Sequence, residues 1–258
     1  VDVASISYPA AIVGGAVIGL LLSVFGGGGS VLATPLLLYI VGVRDPHVAI
    51  GTSAAAVAAN AALGLLVQAR AGRVKWPCAF VFGTAGVTGS LIGAHVAKQI
   101  DGSQLLIWFA LAMALVGGSM LLPRKADGDA SVRLTTALTF KLAPAGAVTG
   151  LAAGFFGIGG GFLIVPGLMA ATGMTLANAA ASSLVSVVLF GAATSASYAM
   201  SGLVDWSLFA ALLGGGAIGS VIAIPVARLL ADRAAAARTA FAILVLATAA
   251  YVTWRALT

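Results

Sequence analysis

The chain alternates long apolar runs with short polar punctuation. Cut at its charges, prolines and glycine clusters, it yields segments of the length a bilayer crossing requires, about 20 residues. Six clean spans follow: Pro46 to Gln68, Trp76 to Ala97, Gln104 to Leu122, Leu176 to Met200, Trp206 to Leu230 and Thr239 to Trp254. Two further stretches are too long for one crossing and too interrupted for one helix. Tyr8 to Val43 contains Phe25-Gly26-Gly27-Gly28-Gly29-Ser30, and Phe140 to Met174 contains Phe156-Gly157-Ile158-Gly159-Gly160-Gly161. Each predicts two shorter helices joined by an unwound glycine segment. The first apolar stretch has neither a basic flank nor a small-residue cleavage site, so it reads as a transmembrane helix with its true start trimmed.

The two broken stretches are copies of one another. Gly19 and Gly150, Gly26 and Gly157, Gly28 and Gly159, Pro35 and Pro166, and Gly42 and Gly173 are all separated by 131 positions. After a one-residue deletion the separation becomes 130, pairing Ser53 with Ser183, Gly72 with Gly202, Trp76 with Trp206, and Gly89-Ser90 with Gly219-Ser220. Glycines alone could align by composition; the tryptophan pair and the shared Gly-Ser-x-Ile pattern could not easily do so. The pattern predicts an all-α polytopic membrane protein made of two repeats, residues 1–123 and 137–258, joined by a polar linker over 124–136. Each repeat is a glycine-broken hairpin followed by three transmembrane helices.

Composition agrees. Of 258 residues 61% are hydrophobic and 8% charged, against roughly a quarter charged in soluble domains, so a soluble fold is excluded. The net charge of +6 does not signal nucleic acid, because the basic residues are scattered between apolar runs with no stacking motif beside them. They report topology instead. If each broken stretch enters and leaves on one side, the second repeat is inverted relative to the first. Arg70, Arg73, Lys75, Arg124, Lys125, Arg133, Lys141, Arg228, Arg233 and Arg238, ten of the thirteen basic residues, then share one side. Arg44, Lys98 and Arg255 lie opposite. A parallel arrangement divides the same residues eight against five, so the positive-inside rule selects inverted repeats with both termini periplasmic.

The candidate chemistry lies at the breaks. Irregular backbone is tolerated in a bilayer only where protein or a watery cavity surrounds it. A helix restarting after each break, at about Ser30 and Phe162, presents amide groups without intrahelical partners and the positive end of its dipole. Such an end binds anions, and inverted repeats would bring two of them together near the midplane. No Lys or Arg falls in the middle of a predicted span, so backbone donors and hydroxyls must replace a buried cation. The candidate ligands are Gly27, Gly28, Gly29 and Ser30 with Thr52 and Ser53 in the first half, and Gly159, Gly160 and Gly161 with Ser182 and Ser183 in the second. Asn60, Gln68, Ser186, Thr194 and Tyr198 could extend a polar path; such side chains also cap or back-bond their own helices, or pack between helices. Asp45, His47 and Asp205 read as helix-start residues, His95 as a hydrogen-bonded interface histidine, and Cys78 as packing. There is no Glu, and every Asp falls in a loop or at a helix end. That leaves no carboxylate relay, metal cluster or nucleophile with a matching base, and the sequence calls for no cofactor and no enzyme.

Phe25-Gly-Gly-Gly-Gly-Ser30 with Pro35 and Ile50-Gly-Thr-Ser53, then Gly154-Phe-Phe-Gly-Ile-Gly-Gly-Gly161 with Pro166 and Ala181-Ser-Ser183, resemble the duplicated signature of the TauE/SafE sulfite exporter family, over nearly the whole chain. The resemblance implies a bacterial inner-membrane transporter for sulfite or a related organosulfonate such as sulfoacetate. The second half has Ala-Ser-Ser where the first has Gly-Thr-Ser, so the halves need not act alike. The expected partners are a small anion and the lipid bilayer. An anion channel and a non-transporting scaffold are the competing functions, and the oligomeric state, a homodimer included, stays open.

Overall fold

The computed structural model describes residues 7–121, 128, 129, 132, 134–157, 161–230 and 234–257. Ten α-helices are present among them: α1 Tyr8–Phe25, α2 Ala33–Leu36, α3 Pro46–Arg70, α4 Trp76–Ala97, α5 Gly102–Leu121, α6 Thr136–Phe156, α7 Gly161–Thr172, α8 Leu176–Ala199, α9 Trp206–Leu230 and α10 Ala234–Leu257. No strand forms among the described residues, only an isolated bridge between Asp129 and Met174. Six segments are long and apolar enough to cross a membrane: Tyr8–Val41, Pro46–Arg70, Trp76–Ala97, Thr136–Phe156, Leu176–Ala199 and Trp206–Ala223. Shorter apolar helices occupy Gly102–Gly118, Leu163–Thr172 and Thr239–Arg255.

Helix boundaries follow local chemistry. Ser7, Thr135 and Thr175 each accept a hydrogen bond from a first-turn amide, and Asp45 accepts from His47 N–H at 2.8 Å. These side chains satisfy donors that the helix leaves unpaired. Proline follows at the first turn of α1, α3 and α4, where its missing N–H costs nothing. The chain reverses or breaks at glycine. Gly26, Gly42, Gly72, Gly157, Gly173 and Gly202 have φ between 64° and 91°, and they form three pairs at the spacings of 131, 131 and 130 read from the sequence.

Both broken stretches are hairpins. Ser7 N–H, just before α1, donates to the carbonyl of Val41 at the end of the return leg. Asp129 N–H donates to Gly173 O at 2.9 Å, so part of the polar linker lies against the end of α7. In the first hairpin the return leg is irregular: a 3-10 helix over Gly26–Leu32, one α turn, then a π turn over Leu37–Val41.

Helix directions can be read from contact register. A Cβ on Gly15 or Gly19 of α1 would meet Leu212 or Gly216 of α9, and one on Gly146, Gly150 or Gly154 of α6 would meet Phe82, Gly86 or Ser90 of α4. Both pairs therefore run parallel. Contacts rise together also between α3 and α9 (Thr52 with Asp205, Asn60 with Leu212) and between α4 and α8 (Lys75 with Ser182, Lys98 with Ser197). Between α3 and α8 they run oppositely: Gly191 faces Ala54 and Ala58, whereas Gly64 faces Leu184. We call the end of the bundle where α1, α3 and α9 start the first face, and the end where α6, α8 and α4 start the second.

Among the close approaches are those at Gly19 and Gly150. A Cβ would lie 2.1 Å from the Gly216 carbonyl oxygen in the first case and 2.0 Å from that of Gly86 in the second. Only a hydrogen fits there, which lets the backbones touch as small residues allow in membrane helices. Each contact joins one half to the other. The main buried cluster likewise mixes Ala11, Leu36 and Phe82 with Leu142, Leu184 and Leu208. The outer surface is apolar, with Val148, Leu115 and Val221 exposed, and the repeated Trp76 and Trp206 stand exposed at the starts of α4 and α9, where indole suits the headgroup region.

Candidate functional site

The first break turns at Gly26, where φ 64° and ψ −146° are open to glycine and strained for other residues. The return helix starts there, four residues earlier than Ser30 as read from the sequence, because 3-10 pairing carries the backbone through the glycines. Gly26, Gly27, Gly29 and Ser30 are buried, and Gly28 is partly open. Gly27 N–H donates to Ser183 Oγ at 3.2 Å, Ser183 Oγ donates to Ala180 O at 2.7 Å, and Ser30 Oγ donates to Gly27 O at 2.8 Å. An amide that the broken helix leaves over is thus met by a hydroxyl of the other half. The rings of Phe25 and Phe241 stack 4.5 Å apart beside Gly28, whose Cβ would lie 3.7 Å from Phe241.

In the second half, α6 ends on left-handed Gly157 and α7 begins at Gly161. The candidate ligands Gly159 and Gly160 lie outside the described residues. The two breaks do not meet at the midplane. A Cβ on Gly26 would touch Ala180, four residues into α8, whereas one on Gly157 would touch Ile50, four residues into α3. With α3 and α8 antiparallel, the α-helical rise puts the breaks roughly 25 Å apart along the bundle. Helix α1 carries its tip too far to stop halfway: 18 residues span about 27 Å. The hairpins pass one another, the first break lying near the second face and the second break near the first.

The paired hydroxyls divide into two kinds. Ser53 and Ser183 both face the first hairpin: Ser183 accepts from Gly27 N–H, and Ser53 Oγ donates to Ile50 O at 3.0 Å and shares a 2.9 Å hydrogen bond with Thr34. Thr52 and Ser182 hold helix starts in the opposite half, accepting from Asp205 N–H and Lys75 N–H, each at 2.9 Å. Asp45 and Asp205 cap α3 and α9. His95 shares a 3.0 Å hydrogen bond with Gln99 on the exposed surface rather than at a helix interface, and Cys78 is buried. The side-chain polar atoms Asn60 Oδ1, Gln68 Oε1, Ser186 Oγ, Thr194 Oγ1 and Tyr198 OH are buried without a partner. Ser182, Ser186, Thr194 and Tyr198 share one row of α8 at multiples of four residues, interrupted by Phe190, which faces Phe82 at 6.4 Å. No group of three metal-ligating side chains occurs among the described residues.

Sequence reasoning missed Thr34, Phe25 and Phe241. Thr34 lies one turn beyond Ser30, and Phe25 immediately precedes the first break as Phe156 precedes the second; both were detectable by register. Phe241 reaches Gly28 from the end of the chain and carried no local signal. Replacing Thr52 by Val or Ser182 by Ala should each lower stability by about 1 to 2 kcal/mol, read as a lower melting temperature in detergent. Unchanged melting would mean that those amides find other partners.

Residues 11–252 match the family model described as Sulfite exporter TauE/SafE. A probable membrane transporter protein of Xylella fastidiosa strain 9a5c is 45% identical over 246 residues, covering 93% of each chain. Another, of Xylella fastidiosa strain Temecula1, is 43% identical over 242 residues with the same coverage. The probable membrane transporter protein YunE of Bacillus subtilis is 28% identical, covering 86% of this chain and 89% of its own. No solved structure matches. With the match running across nearly all the helices that form both hairpins, this multi-pass chain belongs to the TauE/SafE family of membrane transporters.

Proposed function

We propose that the protein exports a small sulfur-containing anion, sulfite or an organosulfonate, across the bacterial inner membrane by alternating access. The observation that carries this reading is the first break: a buried glycine turn whose left-over amide donates to a hydroxyl of the other half. Amides and hydroxyls fixed in a low-dielectric interior bind an oxyanion without the cost of burying a cation. The Phe25–Phe241 stack beside Gly28 supports an occluded carrier over an open pore. Inverted repeats fit this reading: α3 and α8 run antiparallel, and α1 and α6 follow the directions of α3 and α8 respectively. Opposed copies of one hairpin give two conformations of similar energy, related by exchanging the roles of the halves. The second face, bearing Arg70, Arg73 and Lys75, is then cytoplasmic and the termini periplasmic.

Two measurements test it. In proteoliposomes, sulfite flux should saturate and show counterflow; ohmic currents would defeat the carrier. For topology, Ala71→Cys and Ser201→Cys in a Cys78→Ala background should label from opposite sides with a membrane-impermeant thiol reagent. Ser201 is chosen because neighbouring Gly202 has φ 71°, which strains a side chain. Labelling from one side would remove the inverted arrangement.

A further inference from the structure

The first face holds a set of polar groups that the transport reading leaves unused. Tyr198, near the end of α8, is fully buried, and its hydroxyl has no hydrogen-bond partner. Its ring lies 6.4 Å from that of His47, interplanar angle 30°, and Nδ1 of His47 is also buried and unpartnered. Lys98, at the end of α4, places Nζ 5.8 Å from the centre of the Tyr198 ring. That ammonium donates to Ser197 O and Ser201 Oγ, each at 3.0 Å. It has three N–H bonds, so one remains, and no carboxylate pairs with it among the described residues.

The acids nearby are already engaged. Asp45 caps α3 through His47 N–H, Asp205 caps α9 through Ser207 and Leu208, and Asp101 is bound by Ser103. The Ser103 hydroxyl and amide hold the Asp101 carboxyl below the usual carboxylate range. Each carboxylate is directed at a helix start, where N–H groups and the dipole offset its charge. A cation without a counter-ion beside two orphaned polar atoms is an incomplete arrangement, since a buried hydroxyl without a partner is costly. A ligand with several acceptor oxygens would complete it. At the repeat spacing Tyr198 corresponds to Gln68, His47 to Ala177 and Lys98 to Arg228, so the other half keeps a basic residue but neither ring.

We propose that Tyr198, His47 and Lys98 form a second oxyanion site at the first face, beside the second hairpin and apart from the first break. This rests on the anion reading above and adds to it a capture or release station at the first face. Tyr198→Phe tests it with little disturbance, because it removes only a hydroxyl that lacks a partner. Without anion, the variant should melt at or above the temperature of the parent. With sodium sulfite at fixed ionic strength, titrated calorimetrically against purified protein, the parent should bind at two sites. Tyr198→Phe and Lys98→Gln should each weaken one of them about tenfold or more, as loss of a hydrogen bond to a charged group does, and Lys98→Arg should restore part of it. Two sites of parental affinity in both variants, or a single site in the parent, would overturn the proposal while leaving the first break intact. Sulfite binding to neither parent nor variant would overturn both readings, and a response equalled by sodium chloride would reduce the site to nonspecific charge.

Discussion

Gly150→Leu should leave almost no folded protein, while Gly214→Leu should be tolerated. A Cβ at Gly150 would stand 2.0 Å from the backbone oxygen of Gly86, and a backbone oxygen cannot rotate away as a side chain can. Helices α4 and α6 would have to separate along their whole length, and their contact joins the two halves. Overpacking usually costs about 1 to 3 kcal/mol where side chains can adjust. With backbone on the far side, the loss should exceed about 4 kcal/mol, a large part of the total stability of an ordinary domain. Gly19→Leu should behave alike, since its Cβ would lie 2.1 Å from the Gly216 oxygen. Gly214 of α9 has nothing within 4 Å of a Cβ and serves as the control. Monodispersity and melting temperature in detergent measure the difference. A Gly150→Leu protein that melts like the parent would show that α4 and α6 do not pack as described.

Gly28→Ala should fold and fail to transport at the parental rate, whereas Gly29→Ala should not fold. The two glycines are adjacent, yet their surroundings differ. A methyl on Gly28 meets Phe241 at 3.7 Å, ordinary contact distance, while one on Gly29 would lie 2.4 Å from the backbone of Leu21 and Leu22. Gly29 lets the hairpin close. Gly28 is the partly open glycine of the turn, so a methyl there blocks close approach of a ligand to the amides without disturbing the packing. Flux should fall by about tenfold or more, the consequence of displacing one or two charge-assisted hydrogen bonds. Ser183→Ala should lower it as well by removing the hydroxyl that orients Gly27 N–H. If Gly28→Ala protein melts like the parent and also transports sulfite at the parental rate, the first break is not the binding site.

The glycine turns were legible because their markers are local. A residue that must adopt positive φ is nearly always glycine, so Gly26, Gly42 and Gly72 and their counterparts at Gly157, Gly173 and Gly202 expose the duplicated hairpins in one dimension. The capping roles of Asp45 and Asp205 were equally readable, since a cap acts within three residues of its own position. Thr52 and Ser182 were recognisable as a pair, but their bonds to Asp205 and Lys75 cross 153 and 107 residues, and no local pattern encodes such a partner. Asn60, Ser186, Thr194 and Tyr198 were legible as polar residues in apolar helices. That Tyr198 stands beside His47 and Lys98 was not.

By itself the sequence determined the membrane setting, the helical segments, the two glycine-broken stretches and the family signature, because hydropathy, caps and backbone freedom depend on each residue and its near neighbours. Only the tertiary structure decided how far each hairpin reaches, and so that the breaks lie near opposite faces rather than together at the midplane. Depth in a bundle is set by which helices touch and in what register. At Gly19 and Gly150 that register depends on backbone meeting backbone across halves, a relation between distant residues that composition and spacing do not contain.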